Sequence, residues 1–336
     1  MKIGVLGAGA IGCYVGGKLL GAGHDVVFVG RLREEIAQHG LNLTSFTGAS
    51  TFFEGSALRY SDDATSLRGV DVVLVCVKSG ATEAAARPLA AILDRPTAIV
   101  SLQNGVSNPE RLRAVLPRHP VLPGMVPFNV AHRGPGWFHN GTSGPLALER
   151  SGGLEGPLAA ALAQAGFEVE LHDDLRRVQW TKLVLNLNNS INALAGIPLR
   201  AELEDRGYRR VLSRCVQEGL AVLRAAGIRP VRIGRILPAI VPFVLRLPDA
   251  LFVRVAAAML DVDEQARSSM LDDLDRRRDT EVDFLNGEIL ALGDRHGVDV
   301  RTNREVLALV KDAEARRAGS PRIPADRLAR LVSVSN

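Results

Sequence analysis

The chain has 336 residues, 46% of them hydrophobic and 23% charged, with a formal net charge of +4. Such a length exceeds what one hydrophobic core ordinarily sustains, so two domains of an ordinary globular protein are expected. The positive excess is arginine scattered through polar stretches, with no dense basic run interleaved with aromatics. Nucleic acid is therefore not the expected partner, and an anionic small molecule suits the charge as well. Three cysteines (Cys13, Cys76, Cys215) are too few and too far apart for a disulfide framework or a metal site, and the seven histidines are scattered. No metal is expected.

In chain order, "KIGVLGAG" reads as a strand entering a glycine turn and "IGCYVGGKLLGAG" as the helix after it. No charged-then-apolar leader precedes them, so a cytoplasmic protein is expected. Gly7, Gly9 and Gly12 spell G-x-G-x-x-G, with Ala8, Ala10 and Ile11 between them. The first glycine permits the tight turn, the second lets backbone approach a pyrophosphate, and the third allows close helix–strand packing. Alone the string is weak. Here a strand precedes it, a helix follows, and a second strand, "HDVVFVGR", comes at the right distance, which is the context of a dinucleotide site.

An enzyme using NAD ordinarily carries an acid at the end of that second strand, to grip the ribose hydroxyls; this chain has Gly30 and Arg31. An arginine there pairs with a 2′-phosphate, which favours NADP(H); the plain alternative is a solvated surface charge. Two later strands, "VDVVLVCVKS" and "PTAIVSLQNG", end in Lys78 and Asn104. In a doubly wound sheet the carboxyl ends of the strands line the ligand crevice. Lys78 would join Arg31 in a cationic rim, and Asn104 would hydrogen-bond nicotinamide ribose and substrate, unless "NG" is simply a turn.

From Pro120 to about Leu171 the text is β-like and glycine-rich and is expected to extend the sheet; after Asp173 long helical patterns run to Arg317. The expected architecture is an α/β Rossmann-type domain (1–172) that binds NADP, an all-helical domain (173–317) for substrate and dimerisation, and a peripheral tail (318–336). The apolar stretch 236–260 is broken by Pro238, Pro242, Arg246, Pro248, Asp249 and Arg254, too often for a membrane span. It reads as short helices with apolar faces, a dimer surface or a lid; a homodimer is possible, and so is a monomer.

"WTKLVLNLNNSINALAG" is apolar yet carries Lys182 and four asparagines. On a continuous helix Lys182, Asn186, Asn189 and Ser190 share roughly a 100° stripe. A buried polar stripe needs partners, which a substrate with carboxylate, carbonyl and hydroxyl groups supplies. A partly desolvated lysine with a lowered pKa serves as a general acid, so Lys182 is the leading catalytic candidate. The alternative is an interhelical polar network without chemistry. Downstream, Ser268 and Ser269 start one helical pattern. A break is expected around Arg276 to Asp279, with Thr280 as the N-cap of the next helix and Glu281 as its first residue, kept ionised there.

Taken together, "GAGAIG", Gly30–Arg31, "VKS", "QNG", "WTKLVLN" and "SSM…TEVDFLNG" resemble the ketopantoate reductase family (2-dehydropantoate 2-reductases) in order and spacing, over about residues 1 to 315. The resemblance implies NADPH-dependent reduction of 2-dehydropantoate to (R)-pantoate in pantothenate biosynthesis. It makes Lys182 the proton donor and Asn186 and Ser269 substrate ligands, while Asn104 touches both ligands and Lys78 contacts NADP. By the same resemblance Glu281 meets cofactor and substrate hydroxyls, and Val130 lines the cofactor. Three features depart from the family: Ser190 stands where a second substrate asparagine is frequent, Ser79–Gly80 replaces a frequent Ala-Trp, and the apolar insert is longer. The rivals are a reductase of another branched 2-oxo acid and a non-catalytic NADP(H)-sensing protein.

Overall fold

The computed structural model describes residues 1–234, 236–256 and 266–334. The chain divides into two compact units, Met1–Arg176 and Arg177–Asn336. In the first, short β-branched runs alternate with helices. Strand β1 (Lys2–Leu6) feeds helix α1 (Ala10–Gly21), and β2 (Asp25–Val29) returns parallel to β1 with Lys2 opposite Asp25 and Leu6 opposite Val29. Helix α2 (Arg33–His39) leads to β3 (Leu41–Ser45), β4 (Ser50–Phe53) and β5 (Arg59–Ser61). Next come β6 (Val72–Val75), the short helices α3 (Thr82–Ala86) and α4 (Leu89–Ile92), β7 (Ala98–Ser101), α5 (Asn108–Val115) and β8 (Val121–Met125). The unit closes with β9 (Val130–Gly134), β10 (Trp137–Asn140), β11 (Leu146–Glu149), α6 (Glu155–Gln164) and β12 (Val169–His172).

Eight strands form one sheet in the order β12-β11-β8-β7-β6-β1-β2-β5. From β8 to β5 all neighbours are parallel, and β11 joins antiparallel to β8. Along β6, Val72 and Leu74 belong to one hydrophobic cluster while Val73 and Val75 belong to another. A strand buried on both faces has no reason to alternate apolar with polar residues, which is why this segment reads as an unbroken valine–leucine run. The stretch from Pro120 to Leu171 only partly extends this sheet. β8, β11 and β12 do, whereas β9 and β10 pair with β3 and β4 in a separate sheet ordered β4-β3-β10-β9.

The second unit is built of helices: α7 (Leu175–Leu185), α8 (Asn188–Ala195), α9 (Leu199–Glu204), α10 (Arg206–Ala225), α11 (Val241–Leu245) and α12 (Asp249–Val255), then α13 (Ser269–Asp275), α14 (Asn286–His296), α15 (Arg301–Arg316) and α16 (Ala325–Leu331). Asp205 caps α10 by accepting the Gly207 N–H, and the helix buries Val211, Leu212, Cys215, Val216, Val222 and Leu223 at helical spacing.

The residues after Ala318, expected as a peripheral tail, are an integral part of this unit. Ile323 N–H donates to Leu194 O at 2.8 Å, and its carbonyl accepts from the Tyr208 hydroxyl at 2.8 Å. Leu328 on α16 is fully buried. The prolines that suggested a loose end instead turn the chain back, with Pro324 directly preceding α16.

Within 236–260, a 3-10 turn (Pro238–Ile240) precedes α11 and α12, with Ile240, Phe243 and Val255 exposed; residues 257–260 lie outside the described residues. Arg209, 1% exposed, pins this segment to α9. Its guanidinium donates to the carbonyls of Leu203, Glu204, Leu245 and Leu247 and to Asp249, and lies 4.2 Å from the Phe252 ring centroid. A buried cation is tolerable only with its donors so occupied. No helix among the described residues is long and apolar enough to cross a membrane.

Candidate active site

The glycine turn is assembled by contacts that exclude a side chain at two positions and leave the third open. Gly7 has φ +91°, and a Cβ there would stand 2.4 Å from Val77 N. A Cβ at Gly12 would stand 2.6 Å from Gly7 O and 2.9 Å from Val5 Cγ1, so α1 packs against β1 only because it is absent. A Cβ at Gly9 would meet nothing within 4 Å. Gly7 N–H and Ala8 N–H both donate to Val29 O, at 2.8 and 2.9 Å, which fixes the turn to the end of β2. Helix α1 starts with no side-chain cap and no acidic residue in its first turn. First-turn N–H groups have no intrahelical acceptor and the helix dipole favours negative charge, so this cradle fits the pyrophosphate of a dinucleotide. Ala8 is buried, while Ala10 and Ile11 are partly buried against the same hydrophobic cluster.

The ends of β1, β2, β6 and β7 lie on one edge of the parallel sheet, so the glycine turn, Arg31, Lys78 and Asn104 gather there. A Cβ at Gly30 would stand 2.7 Å from the Tyr60 hydroxyl and 3.0 Å from both N and O of Ala8. Gly30 is thus demanded by packing, and no acid can take its place. Arg31, the next residue, is exposed. Lys78 is exposed too, at the start of a 3-10 turn (Ser79–Ala81). Val130 opens β9 in the second sheet and is half-buried against the cluster that also supports Ala10 and Ile11.

Beneath Lys78 and Asn104 lies a buried polar network that sequence reasoning missed. Ser79 Oγ donates to Asn104 O at 2.9 Å, and Asn108 Nδ2 donates to the same carbonyl at 2.6 Å. Thr82 Oγ1 is hydrogen-bonded to Ser79 O and Asn108 Oδ1, and Gln103 Nε2 donates to Val77 O and to Thr82 Oγ1. Ser79, Thr82, Gln103 and Asn108 are all buried. The network ties the end of β6 to the end of β7 and makes "QNG" a fixed element rather than a loose turn. Its visible signal was "NPE", a helix start that leaves Asn108 at the first position of α5, with Pro109 next.

In the second unit, Lys182 lies near the end of α7 and is partly buried. Burial pushes its ammonium down from 10.5 to about 8, while the Glu281 charge acts the other way. Lys182 and Glu281, 99 residues apart in sequence, are thereby brought within electrostatic reach. The single continuous helix expected through Asn186, Asn189 and Ser190 is not what forms. α7 ends at Leu185 and α8 starts at Asn188. Asn186 N–H still bonds Lys182 O, but Leu187 N–H turns to Val184 O and Asn189 N–H to Asn186 O, a shift to three-residue spacing. Ser190 Oγ donates to Leu187 O at 2.8 Å, so its hydroxyl satisfies backbone at the break. The 100° stripe therefore holds for Lys182 and Asn186 but does not carry across to Asn189 and Ser190. Asn186 and Asn189 are half-buried, whereas Ser190 is fully buried.

Asn192 serves structure. Its amide donates to Ile197 O and to Glu202 Oε2, and its oxygen accepts from Ser268 N–H at 3.0 Å. Ser268 Oγ caps α13 at Leu271 N–H and also donates to Asn189 O. The start of α13 is thus fixed beside α8, with Ser269 as its exposed first residue. The chain breaks between α13 and α14, but Glu281 does not open the next helix. It precedes a 3-10 turn (Val282–Phe284), and α14 starts only at Asn286. Thr280 does accept the Val282 N–H, at 3.1 Å, yet its own N–H and hydroxyl are taken by Glu314 Oε1 on α15. That long-range bond settles the geometry over the local capping signal.

A family model described as "Ketopantoate reductase PanE/ApbA" matches residues 3–153, and one described as "Ketopantoate reductase PanE/ApbA C terminal" matches residues 174–314. A 2-dehydropantoate 2-reductase of Archaeoglobus fulgidus is 30% identical over 327 residues, covering 94% of this chain and 98% of that protein. The crystal structure of a PanE/ApbA family ketopantoate reductase from Ralstonia eutropha superposes with a TM-score of 0.80 at 32% identity, covering 94% of this chain and 99% of that one. A D-mandelate dehydrogenase solved with NADH and anilino(oxo)acetate shares the fold, with a TM-score of 0.79 at 20% identity and 94% and 99% of the two chains covered. With both of its units matched and a 30% identical relative spanning nearly its whole length, the chain belongs to the ketopantoate reductase family of oxidoreductases.

Proposed function

We propose that the chain reduces 2-dehydropantoate to (R)-pantoate with NADPH, using Lys182 as proton donor. The observation that carries the reading is the partly buried Lys182 ammonium, brought to about 8 and held in the field of Glu281. When bound, NADPH supplies the hydride that reduces the C2 carbonyl. Lys182 protonates the carbonyl oxygen as negative charge develops there, and its own charge stabilises that oxygen beforehand. An ammonium near 8 is charged at neutral pH yet gives up its proton more readily than an ordinary lysine. Glu281 keeps the lysine from losing its proton to desolvation alone. Asn104, Asn186 and Ser269 are the groups for the substrate's carboxylate and hydroxyls, while the Ser190 hydroxyl, expected among them, is buried on Leu187 O. The backbone of Gly7 to Gly12 is the cradle for the pyrophosphate, Arg31 and Lys78 the cations for the adenosine phosphate, and Val130 an apolar contact for the cofactor.

A second reading keeps the chemistry and changes the acid. Ser190 stands where an asparagine is frequent in the family, and its hydroxyl is committed to Leu187 O. One hydrogen-bonding group fewer in the pocket redirects specificity toward another branched 2-oxo acid. A sensing protein would need the glycine turn but not the Lys182–Glu281 pair. The test is NADPH oxidation with 2-dehydropantoate beside a panel of 2-oxo acids, repeated with NADH. Preference for 2-dehydropantoate with NADPH is expected. Turnover of a different acid favours the second reading, and no turnover with NADPH bound favours the sensor. Because the protonated amine is the active form, kcat should fall as pH rises through about 8.

A further inference from the structure

Strand β7 ends at Ser101, and the Leu102 N–H still bonds Val75 O at 3.0 Å. Asn104 comes two residues later, half-buried, and Gly105 turns the chain at once with φ +89°. The Asn104 carbonyl belongs to the peptide plane just before that glycine, where no Cβ restrains rotation. Two buried side chains restrain it instead. Asn108 Nδ2 donates to this carbonyl at 2.6 Å and Ser79 Oγ at 2.9 Å. Asn108 Nδ2 also donates to Ser79 Oγ at 3.0 Å, while Asn108 Oδ1 accepts from Thr82 Oγ1 at 2.8 Å. A carbonyl oxygen only accepts, so the Asn108 amide has a single orientation that serves all three neighbours. Both donors are themselves anchored. Asn108, 1% exposed, opens α5 with Pro109 next, and the carbonyl of the fully buried Ser79 accepts from Arg111 Nη1 at 2.7 Å.

We propose that Asn108, with Ser79, is a positioning residue for Asn104: their donors lock the Asn104–Gly105 peptide plane and so hold Asn104 in place for the substrate. The inference rests on the reading of Asn104 as a substrate ligand given above. The bond at Leu102 fixes the chain two residues short of Asn104, and the grip on the carbonyl fixes Asn104 itself. Losing the Asn108 amide removes the shorter of the two bonds to that carbonyl and takes a donor from Ser79 Oγ. Asn104 then samples orientations that no longer meet the substrate. The loss falls on turnover of the 2-oxo acid and leaves NADPH affinity nearly unchanged, because in that reading the glycine turn, Arg31 and Lys78 hold the cofactor's phosphates.

The experiment is a double-mutant cycle. Asn108→Ala and Ser79→Ala are each made in wild type and in an Asn104→Ala background. All are assayed for NADPH oxidation with the 2-oxo acid that wild type turns over best, with NADPH titration and thermal unfolding alongside. Asn108→Ala should lower kcat/KM about tenfold and Ser79→Ala about fivefold, each with the NADPH Kd changed less than about twofold. In the Asn104→Ala background the same substitutions should cost less than about twofold, because the residue they act through is gone. A merely structural role would lower the unfolding temperature and leave the losses multiplicative. Wild-type kcat/KM in the single variants, or losses that multiply in the pairs, would overturn the positioning role. Should Asn108→Ala fail to fold, Ser79→Ala, which removes one oxygen, decides by the same cycle. Asn104→Ala with wild-type kinetics, or a wild-type chain without turnover, removes the reading itself, and the inference with it.

Discussion

The glycine turn and the Lys182 region use opposite materials for the same purpose of holding charge. The turn is made of backbone: two positions where a Cβ would collide within 2.6 Å, and one, Gly9, where it would meet nothing. Its first-turn N–H groups offer positive polarity without any buried ionised side chain, so a site of this kind carries no desolvation penalty to offset. The α7–α8 region is made of buried side chains instead, where Lys182, Asn192 and Glu202 each need partners. Lys182 has the Glu281 charge, Asn192 is fully hydrogen-bonded, and Glu202 has one oxygen bonded to Asn192 and the other, Oε1, without a partner in the structure. Backbone sites gain precision from contact, and side-chain sites gain a tunable proton at the cost of strained electrostatics.

The difference can be broken first within the turn itself. Gly7→Ala should destabilise the first unit by about 2–3 kcal/mol, because φ +91° and the 2.4 Å approach to Val77 N admit no methyl group. Gly9→Ala should leave stability within about 0.5 kcal/mol and raise the NADPH Kd about tenfold or more, since its methyl group occupies only the ligand's space. Denaturant midpoints and cofactor titration separate the two. If both variants lost stability equally, the turn would be a packing feature and not a cradle.

The side-chain region is sharpened by pH. Burial raises the Glu202 carboxyl from 4.5 to about 8, with the Asn192 hydrogen bond opposing. Between those values the folded chain keeps a proton that the unfolded chain releases. The stability is therefore complete below pH 4.5 and is lost progressively as pH rises toward 8. The decline should be on the order of 5 kcal/mol, and Glu202→Gln, which keeps an acceptor for Asn192, should flatten it. Urea midpoints at several pH values measure this. An unchanged slope in the variant would mean that another group carries the titration.

This contrast also explains what was legible in the sequence. Each glycine of the turn has a local backbone reason and a fixed spacing, and Lys78 and Asn104 lie just beyond strands whose burial shows as unbroken apolar runs. The family-defining pieces were therefore readable. The separate sheet was not, because pairing β10 with β3, 95 residues apart at Thr44 and His139, is a tertiary choice that local pattern does not encode. Nor was the break at Asn186–Leu187. The apolar periodicity continues through it, and the break shows only in the folded chain, in the shifted Leu187 and Asn189 N–H bonds and the Ser190 hydroxyl on Leu187 O. Glu281 was placed one element too early because Thr280 looks like a cap, while its donors in fact go to Glu314, 34 residues away. The tail was misjudged from its prolines, which said nothing about the buried Leu328 beyond them.

The most direct test of the account is the Lys182→Ala variant, with kcat for 2-dehydropantoate reduction and NADPH affinity measured on the same preparation. The prediction is a fall of about 10²–10⁴ in kcat with the NADPH Kd changed less than about twofold, as expected of a lost general acid that does not hold the cofactor. Activity equal to wild type, or a loss explained by failure to bind NADPH, would contradict it.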